Sequence, residues 1–186
     1  MGRIAAFLDL QGTLGGNGLD NINTFEFYPF SIEAIKQLNE NNILAIVITN
    51  QSGIEKGELT LDEYENCLNK LKLEMSVHGA HFDAVYCCPH RMVDCACRKP
   101  KRGMIDMALE EFDIDISKSF VVGDMGASDM ILAHNIGAKA ILVLTGVGMG
   151  SSNEFRHTWQ NVNADFIAEN ILEAVNYIQR EASLHV

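Results

Sequence analysis

Residues 4–16 read IAAFLDLQGTLGG, an apolar run that ends in an aspartate and leads into a glycine-rich turn. The run 4–8 is short, apolar and followed by turn residues, which predicts a buried β-strand. Asp9 follows this strand directly, and Thr13 lies four residues further on. In a parallel sheet, a side chain at such a position lies at the carboxyl edge, where ligands bind. The stretch therefore predicts a strand with a polar group at the edge where function is expected.

The same kind of pattern continues along the rest of the chain. Four further short apolar runs predict buried strands at residues 44–49, 84–88, 120–122 and 140–144. Helical patterns occupy residues 31–38, 61–73, 104–112, 129–135 and 170–180. Strands that alternate with helices form a parallel sheet with helices on both faces. We therefore predict a Rossmann-like α/β fold and a single domain over residues 1–186.

Capping residues mark several helix ends. Thr60 and Glu63 form a capping-box pair before the long helix, and Asn170 marks the start of the last helix. Ser31 is the expected N-cap of the first helix, and Gly137 is the expected C-cap of the fourth.

Composition limits the classes of partner. The chain has 186 residues, of which 47% are hydrophobic, enough for one compact domain with a buried core. Its 25 acidic residues outnumber its 14 lysines and arginines, and the formal charge is −11. Such a surface repels nucleic acid and anionic membranes, so we expect neither as a partner. No run approaches the roughly 20 apolar residues of a membrane span, and the N-terminus is a poor signal peptide. We therefore expect a cytoplasmic protein with reduced cysteines.

Three predicted strands end in polar side chains that can act together. Asp9 follows the first strand, Thr49 ends the second, and Asp124 follows the fourth. In a parallel sheet all three reach one edge, where two carboxylates can share Mg²⁺ beside a phosphate. The cation would neutralise phosphate oxygens and allow a carboxylate to attack phosphorus. Thr49 can donate to those oxygens, and Lys99 is the best candidate for the lysine that such a site needs.

Four motifs, DLQGTL, TNQSG, CRKP and VGDMGASD, together resemble those of the haloacid dehalogenase-like (HAD) phosphohydrolases. The similarity is closest to the small branch that contains histidinol-phosphate phosphatase and D-glycero-D-manno-heptose 1,7-bisphosphate phosphatase, and it covers residues 4–148. It implies a HAD-like fold and a phosphoaspartyl mechanism with Asp9 as the nucleophile. Thr49 and Lys99 would hold the phosphoryl group. The short chain leaves no room for a large cap domain.

The resemblance also implies a magnesium site. Mg²⁺ would be bound by Asp9, by the main-chain carbonyl of residue 11 and by Asp124, with Asp129 in support. The two acids of the last motif are usually one residue closer in that family than Asp124 and Asp129 are here. The residue two positions after the nucleophile is the general acid and base of the family, and here it is Gln11.

A second group of metal-binding residue types lies in a loop over about residues 87–103. Three thiolates and one imidazole fall within ten residues, at Cys88, His90, Cys95 and Cys97. This set matches a closed, tetrahedral zinc site, and the alternative is a surface loop of reduced cysteines. The heptose bisphosphate phosphatase branch carries the same pairs, and there the zinc orders a loop beside the active site. Here Zn²⁺ would place Arg98 and Lys99 directly after its last ligand.

The position of Gln11 has two functions in the resembling family, a backbone carbonyl for the metal and a side-chain acid and base, and glutamine supplies only the first. Any residue supplies a backbone carbonyl to the metal, but a glutamine side chain cannot exchange a proton with the leaving group or with water. General acid–base help is worth about 10²–10⁴ in rate, so we expect impaired activity. Three interpretations remain open. Gln11 replaces an aspartate of a parent phosphatase; or the chain is naturally slow or uses a good leaving group; or it binds phosphate compounds without turnover.

The sequence thus predicts a Mg²⁺-dependent phosphatase with a structural Zn²⁺ loop, acting on a small phosphorylated substrate such as a sugar or amino-alcohol phosphate. Arg98 is the expected substrate-side cation. Three residues after the second strand are expected to line the phosphate pocket: Asn50, Gln51 and Ser52. A catalytically inactive binding protein on the same scaffold is the competing hypothesis. The natural substrate and the oligomeric state do not follow from the sequence.

Overall fold

A computed structural model describes residues 2–17, 22–91 and 95–184. The strands are β1 (Ala5–Leu8), β2 (Leu44–Asn50), β3 (Ala84–Cys88), β4 (Phe120–Gly123), β5 (Lys139–Val143) and β6 (Phe166–Ala168). The helices are α1 (Ser31–Glu40), α2 (Leu61–Val77), α3 (Gly103–Glu111), α4 (Ile131–Ile136), α5 (Gly148–Ser152) and α6 (Ile171–Ser183). None of these helices is both long enough and apolar enough to cross a lipid bilayer.

The described strands form one parallel sheet in the order β3-β2-β1-β4-β5-β6. β1 lies near its centre, where Leu8 pairs with Val47 of β2 on one side and with Val122 of β4 on the other. The strand order changes direction between β1 and β4. At such a switch point the loops diverge beyond the carboxyl ends of the strands and leave a crevice for a ligand. We therefore expect a ligand site between the loops after β1 and β4.

Successive residues of β1 point to opposite faces of the sheet, and each face packs against its own helices. Ala6 and Leu8 belong to a core that includes residues of α1, α2 and α6. Ala5 and Phe7 belong to a second core, which α3 and α4 cover. All four side chains are fully buried, which explains why the strand reads as a continuous apolar run rather than an alternating one.

These features confirm the predicted Rossmann-like α/β fold with helices on both faces. The five predicted strands are all present, each within one residue of its predicted ends. The sequence did not predict β6. This strand has only three residues, and the middle one, Ile167, is half exposed. It therefore lacks the buried apolar run by which the other strands were recognised.

The predicted helix caps are confirmed except at Ser31. Thr60 and Glu63 form the capping box of α2, Gly137 ends α4 with a φ of 77°, and the Asn170 side chain caps α6. The prediction for Ser31 was wrong, because Ser31 is already the first residue of α1. Its buried hydroxyl has no hydrogen-bond partner in the described part of the chain.

Candidate active site

The carboxyl ends of β1, β2 and β4 surround a polar cavity of about 160 Å³. The predicted phosphoryl-transfer and phosphate-binding residues that line it are Asp9, Gln11, Thr49, Asn50, Ser52, Arg98, Lys99, Asp124 and Asp129. Two residues that the sequence did not single out, Met125 and Ser128, complete the lining. The topology thus brings together polar residues that are far apart in the sequence.

Lys99 lies between two carboxylates. Its Nζ donates to Asp9 Oδ1 at 2.6 Å and to Asp129 Oδ1 at 2.7 Å, and the side chain is almost fully buried. Burial alone would lower the pKa of Lys99, but the charges of Asp129 and Asp9 outweigh it and raise the pKa above its ordinary value. The lysine therefore stays charged at physiological pH.

The Lys99 backbone is fixed by Asn50. Asn50 Oδ1 accepts a hydrogen bond from the Lys99 N–H at 3.0 Å, and Asn50 Nδ2 donates to the Lys99 carbonyl at 3.4 Å. Asn50 was expected to line the phosphate pocket. It does line the cavity, and its amide also holds in place the loop that carries the lysine.

The buried carboxylates create a demand for a further cation. Burial raises the pKa of Asp9 to about 6, and burial with repulsion from Asp9 and Asp129 raises the pKa of Asp124 to about 8. In the described part of the cavity, three buried carboxylates share Lys99 as their buried cation. Carboxylate and backbone carbonyl oxygens are the ligands that Mg²⁺ prefers. The residues present therefore fit the magnesium site that the resemblance implies.

Asp124 is positioned by contacts that the sequence did not reveal. The Val147 N–H donates to Asp124 Oδ2 at 2.8 Å, and Thr145 Oγ1 donates to the Gly12 carbonyl at 2.7 Å. Gly12 has a φ of 87°, and a Cβ on it would lie 2.0 Å from Asp124 Oδ2. Only glycine therefore allows the loops after β1 and β4 to meet. The one sequence signal for the Thr145–Val147 contacts is the glycine-rich run that follows β5.

Asp129 reaches the cavity through a π turn. This turn, Gly126–Met130, directly precedes α4, and a π turn contains one residue more than the corresponding α-helical turn. This extra residue accommodates the spacing between Asp124 and Asp129, which is one residue longer than is usual in the resembling family. Asp129 still contacts Lys99 at 2.7 Å.

Trp159 packs against the same π turn. Its ring occupies the space that a side chain at Gly126 would need, since a Cβ there would lie 2.2 Å from Trp159 Nε1. Nε1 donates to the Ser151 carbonyl at 2.9 Å, and Ser151 Oγ accepts from the Gly126 N–H at 2.7 Å. Trp159 is buried, so it supports the turn from inside the protein.

Gln51 links two residues of the cavity. Its Nε2 donates to Gln11 Oε1 at 2.8 Å and to Thr49 Oγ1 at 2.9 Å. Gln51 is only 5% exposed. The sequence suggested that Gln51 lines the phosphate pocket, whereas the structure directs its amide to the two neighbouring side chains.

Arg98 and Ser52 line the cavity and are partly exposed. The Arg98 guanidinium donates from Nη1 to the His90 carbonyl at 2.9 Å. The expected substrate-side cation is therefore anchored to the cysteine-rich loop.

The four predicted zinc ligands form a cluster. Their ligand atoms all lie within 4.8 Å of one another. Cys88 Sγ lies 3.7 Å from His90 Nδ1, 3.8 Å from Cys95 Sγ and 3.0 Å from Cys97 Sγ. A tetrahedral zinc with Zn–S bonds of about 2.3 Å separates its sulfurs by about 3.8 Å. The cluster therefore fits Zn²⁺ after a small separation of Cys88 and Cys97.

The environment of Cys95 also favours a thiolate. A hydrogen bond from the Arg98 backbone N–H lowers the pKa of Cys95 to about 7, and a metal binds the thiolate rather than the thiol. Residues 92–94 of the predicted loop lie outside the described residues.

Comparisons with known proteins agree with this geometry. Residues 96–174 match a family model described as HAD-hydrolase-like. The D-glycero-β-D-manno-heptose-1,7-bisphosphate 7-phosphatase of Haemophilus ducreyi is 31% identical over 189 residues, which cover 96% of this chain and 100% of that protein. The phosphatase of the same name from Pasteurella multocida is 38% identical over 76% of this chain and 82% of its own length.

Solved structures show the same fold. The D,D-heptose 1,7-bisphosphate phosphatase of B. bronchiseptica, complexed with magnesium and phosphate, superposes with a TM-score of 0.86 at 24% identity and covers 96% of this chain and 99% of its own. The corresponding phosphatase of Burkholderia thailandensis gives a TM-score of 0.72 at 22% identity over 95% of this chain and 99% of its own.

Proposed function

The chain belongs to the HAD-like phosphatases, hydrolases of phosphoric monoesters, and from this premise we propose that it acts on a small sugar phosphate through a phosphoaspartate on Asp9. The observation that carries the proposal is the position of Lys99, buried between Asp9 and Asp129 in the cavity that Asp124 also lines. A charged lysine and a carboxylate in contact, open to one small polar cavity, provide both a phosphate-binding cation and a nucleophile.

The chemistry proceeds in two displacements. The Asp9 carboxylate attacks phosphorus, the bond from phosphorus to the leaving oxygen breaks, and a phosphoaspartate forms. The leaving alkoxide takes its proton from water, since Gln11 cannot supply one. Lys99 and Thr49 donate hydrogen bonds to phosphoryl oxygens and stabilise their charge. Water then attacks the phosphoaspartate and releases the Asp9 carboxylate and phosphate.

The metal sites support this chemistry in different ways. Mg²⁺ held by Asp9, the Gln11 carbonyl and Asp124, with Asp129 in support, would neutralise the phosphoryl oxygens so that a carboxylate can approach phosphorus. The zinc loop contributes structure rather than chemistry. Cys97 is followed directly by Arg98 and Lys99, so a metal in the cysteine-rich cluster fixes the start of the segment that carries both cations.

The size of the cavity and the names of the relatives support a sugar phosphate as the substrate. The cavity of about 160 Å³ has room for a phosphoryl group, and the rest of the molecule would then lie near the partly exposed Arg98 and Ser52. The similar curated phosphatases are named for the 7-phosphate of a heptose 1,7-bisphosphate. We therefore infer that this chain recognises a sugar phosphate of that kind.

Gln11 reduces the rate of this reaction. Its side chain cannot protonate a leaving alkoxide or deprotonate water, so both displacements lose general acid–base help worth about 10²–10⁴. Gln11→Asp supplies a carboxylate at the same position.

Phosphate release tests the proposal directly. With Mg²⁺ and D-glycero-β-D-manno-heptose 1,7-bisphosphate, the chain should turn over slowly, and Gln11→Asp should raise kcat by about 10²–10⁴. Asp9→Asn in the Gln11→Asp background is the control and should abolish release. If Gln11→Asp is inert on this substrate and on a panel of sugar and amino-alcohol phosphates, the phosphatase proposal is wrong.

A second candidate is a phosphate-compound binding protein that does not turn over. The observation in its favour is Gln11, held by Gln51 in the middle of an otherwise acidic site. Calorimetric titration with the same bisphosphate distinguishes the two. Stoichiometric binding by both the chain and Gln11→Asp, without phosphate release from either, supports the binding protein.

A further inference from the structure

The Gln51 amide fixes which way the hydrogen bonds run at two neighbouring side chains. Nε2 of Gln51 donates to Thr49 Oγ1 and to Gln11 Oε1, so both oxygens act as acceptors. The three side chains come from one strand end and from the turn after β1. Thr49 is 2% exposed and Gln51 is 5% exposed, so water does not compete strongly for these bonds.

The direction determines what the cavity offers to a ligand. A hydroxyl that accepts one hydrogen bond still has its own proton to donate, so Thr49 is a donor toward a phosphoryl oxygen. When the oxygen of the Gln11 amide accepts from Gln51, the remaining polar group of that side chain is an NH₂, which only donates. Gln51 thus directs both side chains as donors. Independently of Gln51, neither a threonine hydroxyl nor a glutamine amide is a base.

We propose that Gln51 is a positioning residue that orients Gln11 and Thr49 as hydrogen-bond donors. We also propose that the site, which has no acid at position 11, favours phosphoryl compounds whose leaving group departs without a proton, chiefly acyl phosphates. The inference rests on the proposed function, since it concerns the phosphoaspartate on Asp9. It adds a substrate class and a role for a buried residue that does not line the cavity.

The reaction of an acyl phosphate balances without an acid. The Asp9 carboxylate attacks phosphorus, the bond from phosphorus to the acyl oxygen breaks, and its electron pair leaves on a carboxylate that needs no proton. In the second step a water oxygen attacks phosphorus and the bond to Asp9 breaks. One water proton stays on the attacking oxygen and the other passes to a phosphoryl oxygen, so the phosphate leaves as dihydrogen phosphate. No base is present at position 11 to accelerate this second step, so the phosphoaspartate accumulates.

Leaving-group dependence is the first test. Acetyl phosphate and glucose 6-phosphate are compared with Mg²⁺ for the chain and for Gln11→Asp. The ratio of kcat/KM for the acyl phosphate to that for the sugar phosphate should fall by about 10²–10⁴ in Gln11→Asp, because the new acid assists only the poor leaving group. Acid quenching should trap phosphoenzyme from acetyl phosphate in the chain but much less in Gln11→Asp. An unchanged ratio, or equal trapping in both, overturns the leaving-group part of the proposal.

Substitution of Gln51 is the second test. In Gln51→Glu the new carboxylate only accepts, so it turns the donors of Thr49 and Gln11 away from the cavity and adds negative charge. In Gln51→Leu the two donors lose their orientation without a new charge. Affinity for inorganic phosphate, measured by calorimetry, should fall by roughly tenfold in Gln51→Leu, the worth of one hydrogen bond to a charged group. It should fall further in Gln51→Glu.

Gln160 provides the matched control, since it is exposed and outside the cavity lining. Gln160→Leu and Gln160→Glu should bind phosphate as the unsubstituted chain does. Phosphate affinity that is unchanged in both folded Gln51 variants overturns the positioning role. If Gln11→Asp hydrolyses no phosphate compound, the proposed function fails separately, and the phosphate affinities of the Gln51 variants still decide the positioning role.

Discussion

Three carboxylates lie in one small cavity, so a change of charge at any one of these residues changes the electrostatic environment of the others. Asp9, Asp124 and Asp129 are all buried, and Lys99 contacts two of them. Taking charges out of water is costly unless they are paired. The site therefore lowers the stability of the chain, and a bound cation should restore part of it.

Asp124→Asn should stabilise the chain in the absence of divalent metal and flatten the pH dependence of its stability. The folded state raises the pKa of Asp124 from 3.8 to about 8, so between these values the folded chain holds a proton that the unfolded chain does not. The free energy of unfolding therefore falls as the pH rises through this range. Urea unfolding in a chelator at pH 5.5 and pH 8 should show this fall, and Asp124→Asn should flatten it.

Gln37→Asn, a change on α1, is a control that should keep the slope of the unsubstituted chain. A pH dependence in Asp124→Asn equal to that of the unsubstituted chain would mean that Asp124 is not the group responsible.

Gly12→Ala should disrupt the site sterically. Its Cβ would lie 2.0 Å from Asp124 Oδ2, so Asp124 or the turn after β1 must move. The expected result is a loss of magnesium-dependent phosphate binding, measured by calorimetry. Gly57→Ala separates the clash from backbone strain, because Gly57 also has a positive φ, 71°, but has open space around its Cβ position. If the two variants bind phosphate equally well, the close approach of Gly12 to Asp124 is not what positions the carboxylate.

At the scale of helices and strands, the sequence predicted the elements that have a repeated pattern and missed those that depend on tertiary contacts. The capping box of α2 is local, since Thr60 and Glu63 satisfy each other. The short edge strand β6 depends on pairing with β5, because Ile141, Leu142 and Val143 align with its three residues. The π turn before α4 contains Asp129, which contacts Lys99, and no local pattern encodes that contact.

Replacement of Thr60 and of Ser31, two hydroxyl residues at helix starts, should have different effects on the free energy of unfolding. Thr60→Ala removes a capping hydroxyl and should lower the free energy of unfolding by about 1 kcal/mol. Ser31→Ala removes a buried hydroxyl with no partner in the described part of the chain, so it should be neutral or slightly stabilising. Urea unfolding of both variants measures the difference. A loss of stability in Ser31→Ala as large as that in Thr60→Ala would show that Ser31 does cap α1.

At the scale of the whole molecule, the parallel topology explains why the site was largely predictable. Asp9, Thr49 and Asp124 follow separate strands, and the sheet alone brings their ends to one edge. The geometry within that edge was not predictable. The link from Gln51 to Gln11 and the contact of Val147 with Asp124 depend on the exact paths of the loops.

Loss of zinc from the cysteine-rich cluster should weaken phosphate binding at the active site. Cys95→Ser removes one ligand of the cluster and should leave less than half an equivalent of zinc per chain after dialysis. Phosphate affinity should fall as well, since Lys99 follows the cluster by two residues. Elemental analysis and calorimetry measure the two effects. Cys67→Ser, on α2, is the control and should keep both. Full zinc content in Cys95→Ser, or phosphate affinity that does not follow the zinc, would contradict the link.

The packing of Trp159 against Gly126 has a practical consequence. Trp159 is the only tryptophan in the chain, and its ring rests on the first residue of the turn that carries Asp129. Its intrinsic fluorescence is therefore sensitive to that turn, as well as to Arg156, whose guanidinium lies 3.9 Å from the ring centroid. Titration with magnesium or phosphate should shift the emission spectrum, so occupancy of the site can be followed optically, without labels or turnover.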